Sequence, residues 1–246
     1  MRLSKRIHAL ANIVIDGDSI ADIGTDHGYV PMLLMKQGRS PHVIMSDISE
    51  GSLAKARETF AACGLMDLVN ETDFRVGDGL QTINDGEVDE LIIAGLGGHT
   101  IKGILSDDEE KSKSFRRLVL QPRKHSGTLR YYLYTHGWNI ESENLAKEGK
   151  FACEIITAVP LADGYRDAPY PEDDIRWKYP EEIITADPEL ALDRIRWKLS
   201  SLEEQEANLS SGEEDHRVIL DKIRNDHSYL IKLEEKATDA LKSFKI

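Results

Sequence analysis

Two strand-like segments late in the chain constrain the fold more than any other feature. Residues 138–145 and 151–159 each have a strand pattern, and only the residues from Ala146 to Lys150 separate them. Because a parallel connection needs a crossover of about a dozen residues, the two strands are predicted to pair as an antiparallel hairpin. Strand-like and helix-like segments alternate before them, which is typical of a parallel sheet with helices on its faces. The sequence therefore predicts an α/β fold with a mostly parallel sheet that ends in an antiparallel hairpin.

The strands before the hairpin are short apolar runs, and the helices between them have apolar residues at steps of three and four. Strands are predicted at residues 19–23, 42–46, 74–76, 89–94 and 117–121. Helices are predicted at residues 1–15, 28–37, 49–64, 101–105 and 126–135, with an acidic turn at 107–110. Ser49 is predicted to cap the third of these helices, because its hydroxyl can accept a hydrogen bond from a free N–H of the first turn.

The last third of the chain has a different pattern. Residues 161–186 contain prolines and no sustained apolar period, which indicates a linker or an irregular cover. Asp187-Pro188 is typical of a helix start. Two long helices are predicted to follow, and their apolar residues recur at helical spacing: Leu192, Ile195, Leu199, Leu202, Ile219, Ile223, Leu230, Leu233, Ala237 and Phe244. A short polar turn, Ser210-Ser211-Gly212, predicts an antiparallel coiled-coil hairpin, so the expected division is 1–160, 161–186 and 187–246.

The first predicted strand runs through a glycine-bearing turn into a helix. Such a turn leaves backbone N–H groups free to face a ligand. Its spacing, Asp22-x-Gly24-x-Asp26-x-Gly28, resembles the first turn of nucleotide-binding folds, but Asp26 replaces the central glycine that lets a pyrophosphate approach. An acid there disfavours NAD and ATP and favours a ligand that carries an amine or a sulfonium. A purely structural turn is the alternative.

Further polar or glycine-rich turns follow the next strands, at the sheet edge where open α/β folds bind ligands. Asp47, about twenty residues beyond the first turn, is placed to accept hydrogen bonds from a ribose diol, or else to cap a helix. Asp78 lies between two glycines, where it can meet an adenine amino group or serve only the turn. Gly95-Leu96-Gly97-Gly98 leaves backbone uncovered by side chains, which indicates a binding loop or a glycine hinge.

Composition disfavours several classes of protein. The 246 residues are 40% hydrophobic, enough for a packed core, and contain no apolar run of transmembrane length and no signal-peptide pattern. The two cysteines, Cys63 and Cys153, match no metal spacing, which favours a reducing compartment without disulfides or bound metal. The net charge of −13 argues against bulk attraction to nucleic acid.

One segment reverses this charge balance. Residues 111–140 contain no acidic residue and seven basic ones: Lys111, Lys113, Arg116, Arg117, Arg123, Lys124 and Arg130. Aromatic residues are interleaved with them: Phe115, Tyr131, Tyr132, Tyr134 and Trp138. This composition is typical of surfaces that bind phosphates and unstacked bases. The alternative is a basic face that packs against acidic side chains of the same protein.

Four motifs in these segments resemble those of the bacterial tRNA adenine-N1 methyltransferases, which modify an adenine on the D-loop side of tRNA. The motifs are Leu3-Ser-Lys-Arg-Ile7, Ala21-Asp-Ile-Gly-Thr-Asp-His-Gly-Tyr-Val-Pro31, Ile93-Ala-Gly-Leu-Gly-Gly98 and Leu120-Gln-Pro122. The resemblance runs from about Leu3 to Pro160. It implies a Rossmann-like class I methyltransferase sheet, S-adenosyl-L-methionine as cofactor, S-adenosyl-L-homocysteine as product, and transfer of a methyl group to N1 of an adenine in tRNA.

The resemblance also implies roles for individual residues. The cofactor-binding positions are Arg6, Asp22, Gly24, Asp26, His27, Asp47, Ile48, Gly77, Asp78, Gly79, Ala94 and Gly95. The substrate-binding positions are Tyr29, Gly97, Gly98, Arg123, Lys124 and Arg130. The candidate catalytic residues are Asp26, Gln121 and Pro122. Gln121 and Pro122 would hold the target base, and Asp26 would accept a proton from its amino group. Arg6 would pair with the cofactor carboxylate, and Tyr29 either stacks on the base or belongs to the core.

Two other functions fit the same sequence. A small-molecule methyltransferase would suit the acidic net charge, and a methyltransferase-fold protein that binds RNA without turnover would need no catalytic acid. The helical hairpin is predicted to clamp tRNA, to join two subunits in a weak homodimer, or only to pack within a monomer. No membrane or metal partner is expected, and the expected compartment is the cytoplasm.

Overall fold

A computed structural model of the chain describes residues 3–149, 151–162, 164–209 and 214–244. In these ranges seven strands form one sheet. The strands are β1 (Ile20–Ile23), β2 (Val43–Asp47), β3 (Phe74–Val76), β4 (Glu90–Leu96), β5 (Arg117–Pro122), β6 (Trp138–Glu148) and β7 (Phe151–Pro160). Each strand predicted from the sequence is present, with bounds that differ by up to three residues.

The order of the strands in the sheet is β3-β2-β1-β4-β5-β7-β6. The first five strands pair in parallel, and β7 is antiparallel to both β5 and β6. The predicted hairpin is therefore confirmed. It is longer than predicted, because the ladder continues to the pair Glu148 and Phe151, and residues 146–148 belong to β6 rather than to a loop. Lys150 lies outside the described residues.

Six helices accompany the strands of the sheet. They are α1 (Lys5–Ile13), α2 (Tyr29–Lys36), α3 (Glu50–Ala62), α4 (Gly98–Asp107), α5 (Glu109–Ser114) and α6 (Ser126–Thr135). The Ser49 hydroxyl accepts a hydrogen bond from the Ser52 N–H, so the predicted cap of α3 is confirmed. The acidic turn predicted at 107–110 is wrong. Asp108 caps α5 by accepting from the Lys111 N–H, and Glu109 and Glu110 lie in its first turn, where the helix dipole favours negative charge.

The sheet separates two hydrophobic cores. Neighbouring residues of a strand point to opposite faces, so Ile92 packs in one core and Ile93 in the other. Helices α1, α2 and α3 cover the first face, and α4 and α6 cover the second. Because both faces are covered, the central strands are mostly apolar, and their buried polar residues, such as Asp22, Ser46 and Glu90, lie near the strand ends.

The C-terminal part is helical and has a core of its own. It contains α7 (Ile175–Lys178), α8 (Glu182–Ala186), α9 (Pro188–Asn208) and α10 (Glu214–Phe244). The predicted start of α9 is confirmed, because Asp187 accepts from the Leu190 N–H and Pro188 occupies the first turn. The polar turn Ser210-Ser211-Gly212 and the Phe244 side chain lie outside the described residues.

Two details of this part differ from the sequence-based expectation. Residues 175–178 and 182–186 are helical, so the segment predicted as linker or irregular cover contains α7 and α8. Their side chains, including Ile175 and Ile183, join the core formed by α9 and α10, and this burial outweighs the interruptions that the prolines impose. Ile219 was expected in the apolar stripe of α10, but 47% of it is exposed. None of the described helices has both the length and the apolar character that crossing a membrane requires.

Candidate active site

The turns that follow β1, β2, β3, β4 and β5 meet at the carboxyl edge of the sheet. In the first turn, the Gly24 and Thr25 N–H groups donate to the Ser46 carbonyl at 2.8 and 3.1 Å, which fastens the turn to β2. Gly24 and Gly28 have φ angles of +74° and +63°, a region that suits glycine. A Cβ on Gly28 would lie 3.0 Å from the Cβ of Ala56, so glycine also lets α2 start close to α3.

Asp22 lies beneath this turn and is buried. Its Oδ2 accepts a hydrogen bond of 2.7 Å from the Thr25 hydroxyl. Burial raises the pKa of Asp22 to about 6, the Thr25 hydrogen bond and the positive charge of Arg6 act in the opposite direction, and the charge of Asp47 adds to the rise. A buried carboxylate with this little compensation is suited to receive a cationic group from a ligand.

Asp47 and Asp26 form the acidic rim of the site. The Asp47 carboxylate accepts from the Asp26 N–H at 3.2 Å and from the Ser49 N–H at 2.9 Å. Asp26 has a φ of +47°, and its half-exposed carboxylate binds the Lys55 ammonium at 2.9 Å, which raises the pKa of Lys55. The Asp26 Oδ2 also lies 3.7 Å from Nε2 of His27, whose ring stacks on that of Tyr29 with the centroids 5.0 Å apart. Tyr29 is half-buried and packs against the first core as well, so both interpretations of this residue stay open.

Apolar side chains flank the next two turns. Ile48 is 74% exposed and Val76 is 55% exposed, each beside an acidic or glycine-bearing turn. Gly77 donates its N–H to the Asp47 carbonyl at 3.1 Å, and Asp78 is exposed and begins a short 3₁₀ turn that starts at Gly79. Exposed apolar surface next to carboxylates matches a ligand with a flat ring and a polyhydroxylated sugar.

The glycine-rich loop after β4 begins inside the strand. The pairing with β5 shifts between Ala94 and Leu96, so Gly95 forms a bulge with a φ of +82°, and a Cβ there would meet no atom within 4 Å. Gly98, in contrast, has no space for a side chain, because a Cβ at this position would lie 2.2 Å from the His125 carbonyl oxygen. The loop therefore leaves open backbone at Gly95 and packs tightly on the β5–α6 turn at Gly98.

Gln121 is held in a fixed orientation at the end of β5. It is 1% exposed, its Oε1 accepts from Nη1 of Arg6 at 3.2 Å, and its Nε2 donates to the Pro122 carbonyl at 3.2 Å. Nε of Arg6 donates to Glu148 at 2.7 Å. Arg6 thus ties α1 to the ends of β5 and β6, and it also lies close enough to Asp22 to lower that pKa.

The basic and aromatic segment is mostly internal. Five of its seven basic residues form ion pairs with acidic side chains of the same protein: Lys111 with Asp85, Lys113 with Glu109, Arg116 with Asp18, Arg117 with Glu141, and Arg130 with Glu143. Phe115, Tyr132 and Trp138 are at most 3% exposed and belong to the second core. The alternative raised for this segment is therefore correct over most of its length. Arg123 and Lys124 are exposed at the carboxyl edge and have no ion pair in the described part of the chain.

Arg130 corrects one predicted substrate-binding position. It is 1% exposed and donates to Glu143 at 2.6 Å and to Glu154 at 2.7 Å, so it lies inside the protein and does not reach a macromolecular substrate. The other predicted positions are brought to one edge: those on β1, β2 and β3 on one side, and those on β4 and β5 on the other. Within the described ranges no three His, Cys, Asp or Glu side chains are grouped to hold a metal ion.

Some residues of this edge gave no sequence signal. Glu148 is 142 positions from its partner Arg6, and the hairpin alone brings them together. Lys55 binds Asp26 from α3, and the Thr25 hydroxyl donates to Asp22 from within the first turn. Spacing within one segment does not reveal the contacts of Glu148 and Lys55, because they depend on which elements are neighbours in the fold, whereas Thr25 and Asp22 are only three residues apart.

A cavity of about 450 Å³ lies away from this edge, between α6, β6 and the C-terminal helices. Its walls include Tyr134, Tyr170 and Trp177. Two arginines cover two of its tyrosines, since the Arg176 guanidinium carbon is 3.3 Å from the centre of the Tyr170 ring and that of Arg166 is 4.2 Å from the centre of the Tyr134 ring. One face of each of these two rings is therefore occupied by a side chain of the protein itself.

The fold and the residues at the carboxyl edge of the sheet together define the class of protein. A parallel sheet that ends in an antiparallel hairpin, with carboxylates and exposed apolar side chains in place of a phosphate cradle, fits a nucleoside that carries a cationic amino acid. Those are the features of a class I S-adenosylmethionine-dependent methyltransferase. In agreement, the Methyltransferase domain family matches residues 3–156.

Comparison with individual proteins narrows this class. The chain is 33% identical over 170 residues, 69% of each chain, to the tRNA (adenine(22)-N(1))-methyltransferase of Bacillus subtilis. It belongs to the family of bacterial tRNA adenine-N1 methyltransferases.

Solved structures agree in fold. A putative tRNA (m1A22) methyltransferase of Streptococcus pneumoniae superposes with a TM-score of 0.81 at 22% identity, covering 95% of this chain and 100% of that one. M. capricolum TrmK, solved in complex with the cofactor product S-adenosyl-homocysteine, gives a TM-score of 0.76 at 21% identity, covering 94% and 98%. The likeness extends over the C-terminal helices as well as the sheet.

Proposed function

We propose that this protein transfers a methyl group from S-adenosyl-L-methionine to N1 of an adenine in tRNA. The observation that carries the proposal is the acidic carboxyl edge, where a buried Asp22 and a rim of Asp26 and Asp47 replace the phosphate cradle of NAD-binding folds. Membership of the tRNA adenine-N1 methyltransferase family supports it.

The residues of the edge divide between cofactor and target. Asp22, the Gly24 backbone and His27 bind the methionine end, Asp47 the ribose, and Asp78 the adenine amino group, with Ile48 and Val76 against the adenine ring. When bound, S-adenosyl-L-methionine supplies a methyl group on a positively charged sulfur. The open backbone from Ala94 to Gly98 holds the target base together with Gln121 and Pro122.

Catalysis depends mainly on how the protein positions the reacting atoms. A neutral ring nitrogen that attacks a sulfonium spreads positive charge rather than creating it, so alignment and exclusion of water supply most of the acceleration. Gln121 suits this task, because Arg6 and the Pro122 carbonyl fix both ends of its amide. N1 is on the pairing edge of adenine, so the base enters the site unpaired.

The decisive experiment incubates the protein with S-adenosyl-L-methionine and unmodified bulk tRNA and maps 1-methyladenine by mass spectrometry. We expect one modified position. A protein that binds the cofactor in a calorimeter but modifies no tRNA would be a small-molecule methyltransferase or a binding protein. No uptake of S-adenosyl-L-methionine or S-adenosyl-L-homocysteine would overturn the enzymatic proposal.

The role of Asp26 has its own test. Asp26→Asn keeps a residue that tolerates positive φ and removes the proton acceptor. We expect turnover to fall about tenfold to a hundredfold, the range for loss of a positioned base, with a smaller loss of cofactor affinity. Lys55→Gln, which removes the partner of Asp26, is the matched control. Equal losses of turnover and affinity in Asp26→Asn would place Asp26 in cofactor binding instead.

We also propose that the protein acts in the cytoplasm as a monomer or as a weak homodimer formed by α9 and α10, with residues 1–160 and 187–246 as its two domains. Trp197 on α9 and Val218 on α10 are 69% and 74% exposed, which is apolar surface available to a second copy. Sedimentation at several protein concentrations tests this, because a dimer of this kind dissociates on dilution and a monomer does not change.

A further inference from the structure

A cluster of lysine and histidine side chains adjoins the glycine-rich loop, and only one of its members, Lys124, is among the substrate-binding positions predicted from the sequence. It consists of His99 on α4, Lys124 and His125 in the β5–α6 turn, and Lys178 on α7, and all four are exposed. We name these four residues the His–Lys cluster. They come from three separate segments of the chain, which only the fold brings together.

Close contacts hold the cluster together. The His99 and His125 rings are in contact, with their centroids 4.2 Å apart and their planes tilted by 40°. The Gly98 N–H donates to the Lys124 carbonyl at 2.8 Å. A Cβ on Gly97 would lie 3.7 Å from Cε of Lys124, so the lysine side chain runs over the loop proposed to hold the target base. Lys178 lies on α7, which packs closely on α6: a Cβ on Gly127 of α6 would lie 3.3 Å from the backbone nitrogen of Lys178.

The charges of the cluster have one sign. The groups that act on His125 are His99, Lys124 and Lys178, and none of the four residues has an acidic ion-pair partner in the described ranges. Desolvation and these three cations lower the pKa of His125. In a protein with a net charge of −13, two lysines and two histidines that adjoin one another without a carboxylate partner are an unusual surface feature.

Backbone geometry adds a second observation. His125 has a φ of +58°, a left-handed conformation that costs free energy for a residue other than glycine. Its ring is thereby placed beside His99, where α4 and α6 both begin. The two helices have ten residues each, and the positive ends of their dipoles point toward the same surface.

We infer that the His–Lys cluster binds the phosphodiester backbone of the substrate RNA next to the target adenine. The inference rests on the proposed function, because a base that enters the Gly95–Gly98 loop brings its flanking phosphates to the rim of that loop. A phosphate beside the two imidazoles would also relieve the repulsion between their protonated forms. Lys178 would extend this contact from the sheet to the C-terminal helices.

The first test measures how the affinity for tRNA depends on salt concentration. Lys124→Gln and Lys178→Gln are compared with Lys36→Gln, which removes an exposed lysine at the far end of α2, at the opposite edge of the sheet. We expect each cluster variant to bind tRNA about threefold to tenfold more weakly at 0.15 M salt, and to lower the slope of log affinity against log salt by about 0.7 to 0.9. Affinity for S-adenosyl-L-homocysteine should stay unchanged in all three variants.

The second test uses pH. Asn tolerates the left-handed backbone, so His99→Asn/His125→Asn removes both imidazoles without adding strain at position 125. Wild-type affinity for tRNA should rise at least threefold from pH 8 to pH 6, because protonated imidazoles attract phosphate. RNA bases do not titrate in this range, so the rise reports on the protein, and it should be lost in the double variant. The other charged groups that face the His125 imidazole are Lys124 and Lys178.

The outcomes separate the two proposals. If the wild-type protein methylates tRNA but the cluster variants match Lys36→Gln in affinity and slope, the inference is wrong and the proposed function stands. If the wild-type protein neither binds nor methylates tRNA, the proposed function fails and the inference fails with it.

Discussion

At the scale of the residue, the buried carboxylate of Asp22 makes the stability of the protein depend on pH. Its pKa of about 6, raised by burial from 3.8, means that the folded protein binds the proton more tightly than the unfolded chain. The resulting contribution to stability is complete below pH 3.8 and is lost as the pH rises through 6. Asp22→Asn should therefore raise the free energy of unfolding at pH 8, without cofactor, by about 1 to 3 kcal/mol, and by less at pH 5. The same change should weaken binding of S-adenosyl-L-homocysteine about tenfold or more, because a charge-assisted contact is lost.

Urea unfolding at both pH values and calorimetry with the cofactor product check this prediction. Asp67→Asn, an exposed acid, is the control and should change neither quantity. A variant of Asp22 that loses stability equally at pH 5 and pH 8 would show that its hydrogen bond with Thr25, rather than its charge, dominates.

At the scale of the element, α4 contains a matched pair of glycines. A Cβ on Gly98 would lie 2.2 Å from the His125 carbonyl oxygen, whereas a Cβ on Gly103 would meet nothing within 4 Å. Gly98→Ala should therefore lower the free energy of unfolding by about 2 kcal/mol or more, because backbone must move. Gly103→Ala should raise it by about 0.5 to 1 kcal/mol through helix propensity. Thermal or urea unfolding measures both, and similar effects of the two changes would contradict this account of the loop.

At the scale of the whole molecule, one buried network joins the sheet to the C-terminal helices. Glu154 on β7 accepts from Arg130 on α6 and from Arg194 on α9, each at 2.7 Å. Burial would raise the pKa of Glu154, but the two arginines hold it below its usual value. Arg194→Met leaves two buried carboxylates with one cation, and should cost about 3 to 5 kcal/mol of stability.

Arg196, two residues further on, supplies the control. It pairs with Glu234 but is 56% exposed, so Arg196→Met should cost less than about 1 kcal/mol. Equal losses in the two variants, measured by urea unfolding, would mean that α9 is not anchored to the sheet through Glu154.

The sequence by itself determined the alternation of strands and helices, the antiparallel hairpin and the acidic turn at Asp26, because connection lengths, caps and glycines act over a few residues. It also determined where the carboxyl-edge residues lie along the chain. Only the tertiary structure decided which charges meet. It turned the basic stretch around Arg130 into an internal ion network, gave α7 and α8 a core to pack in, and brought Glu148 to Arg6. Those pairings depend on strand order and on burial, and both bring together residues too far apart for any local pattern to report.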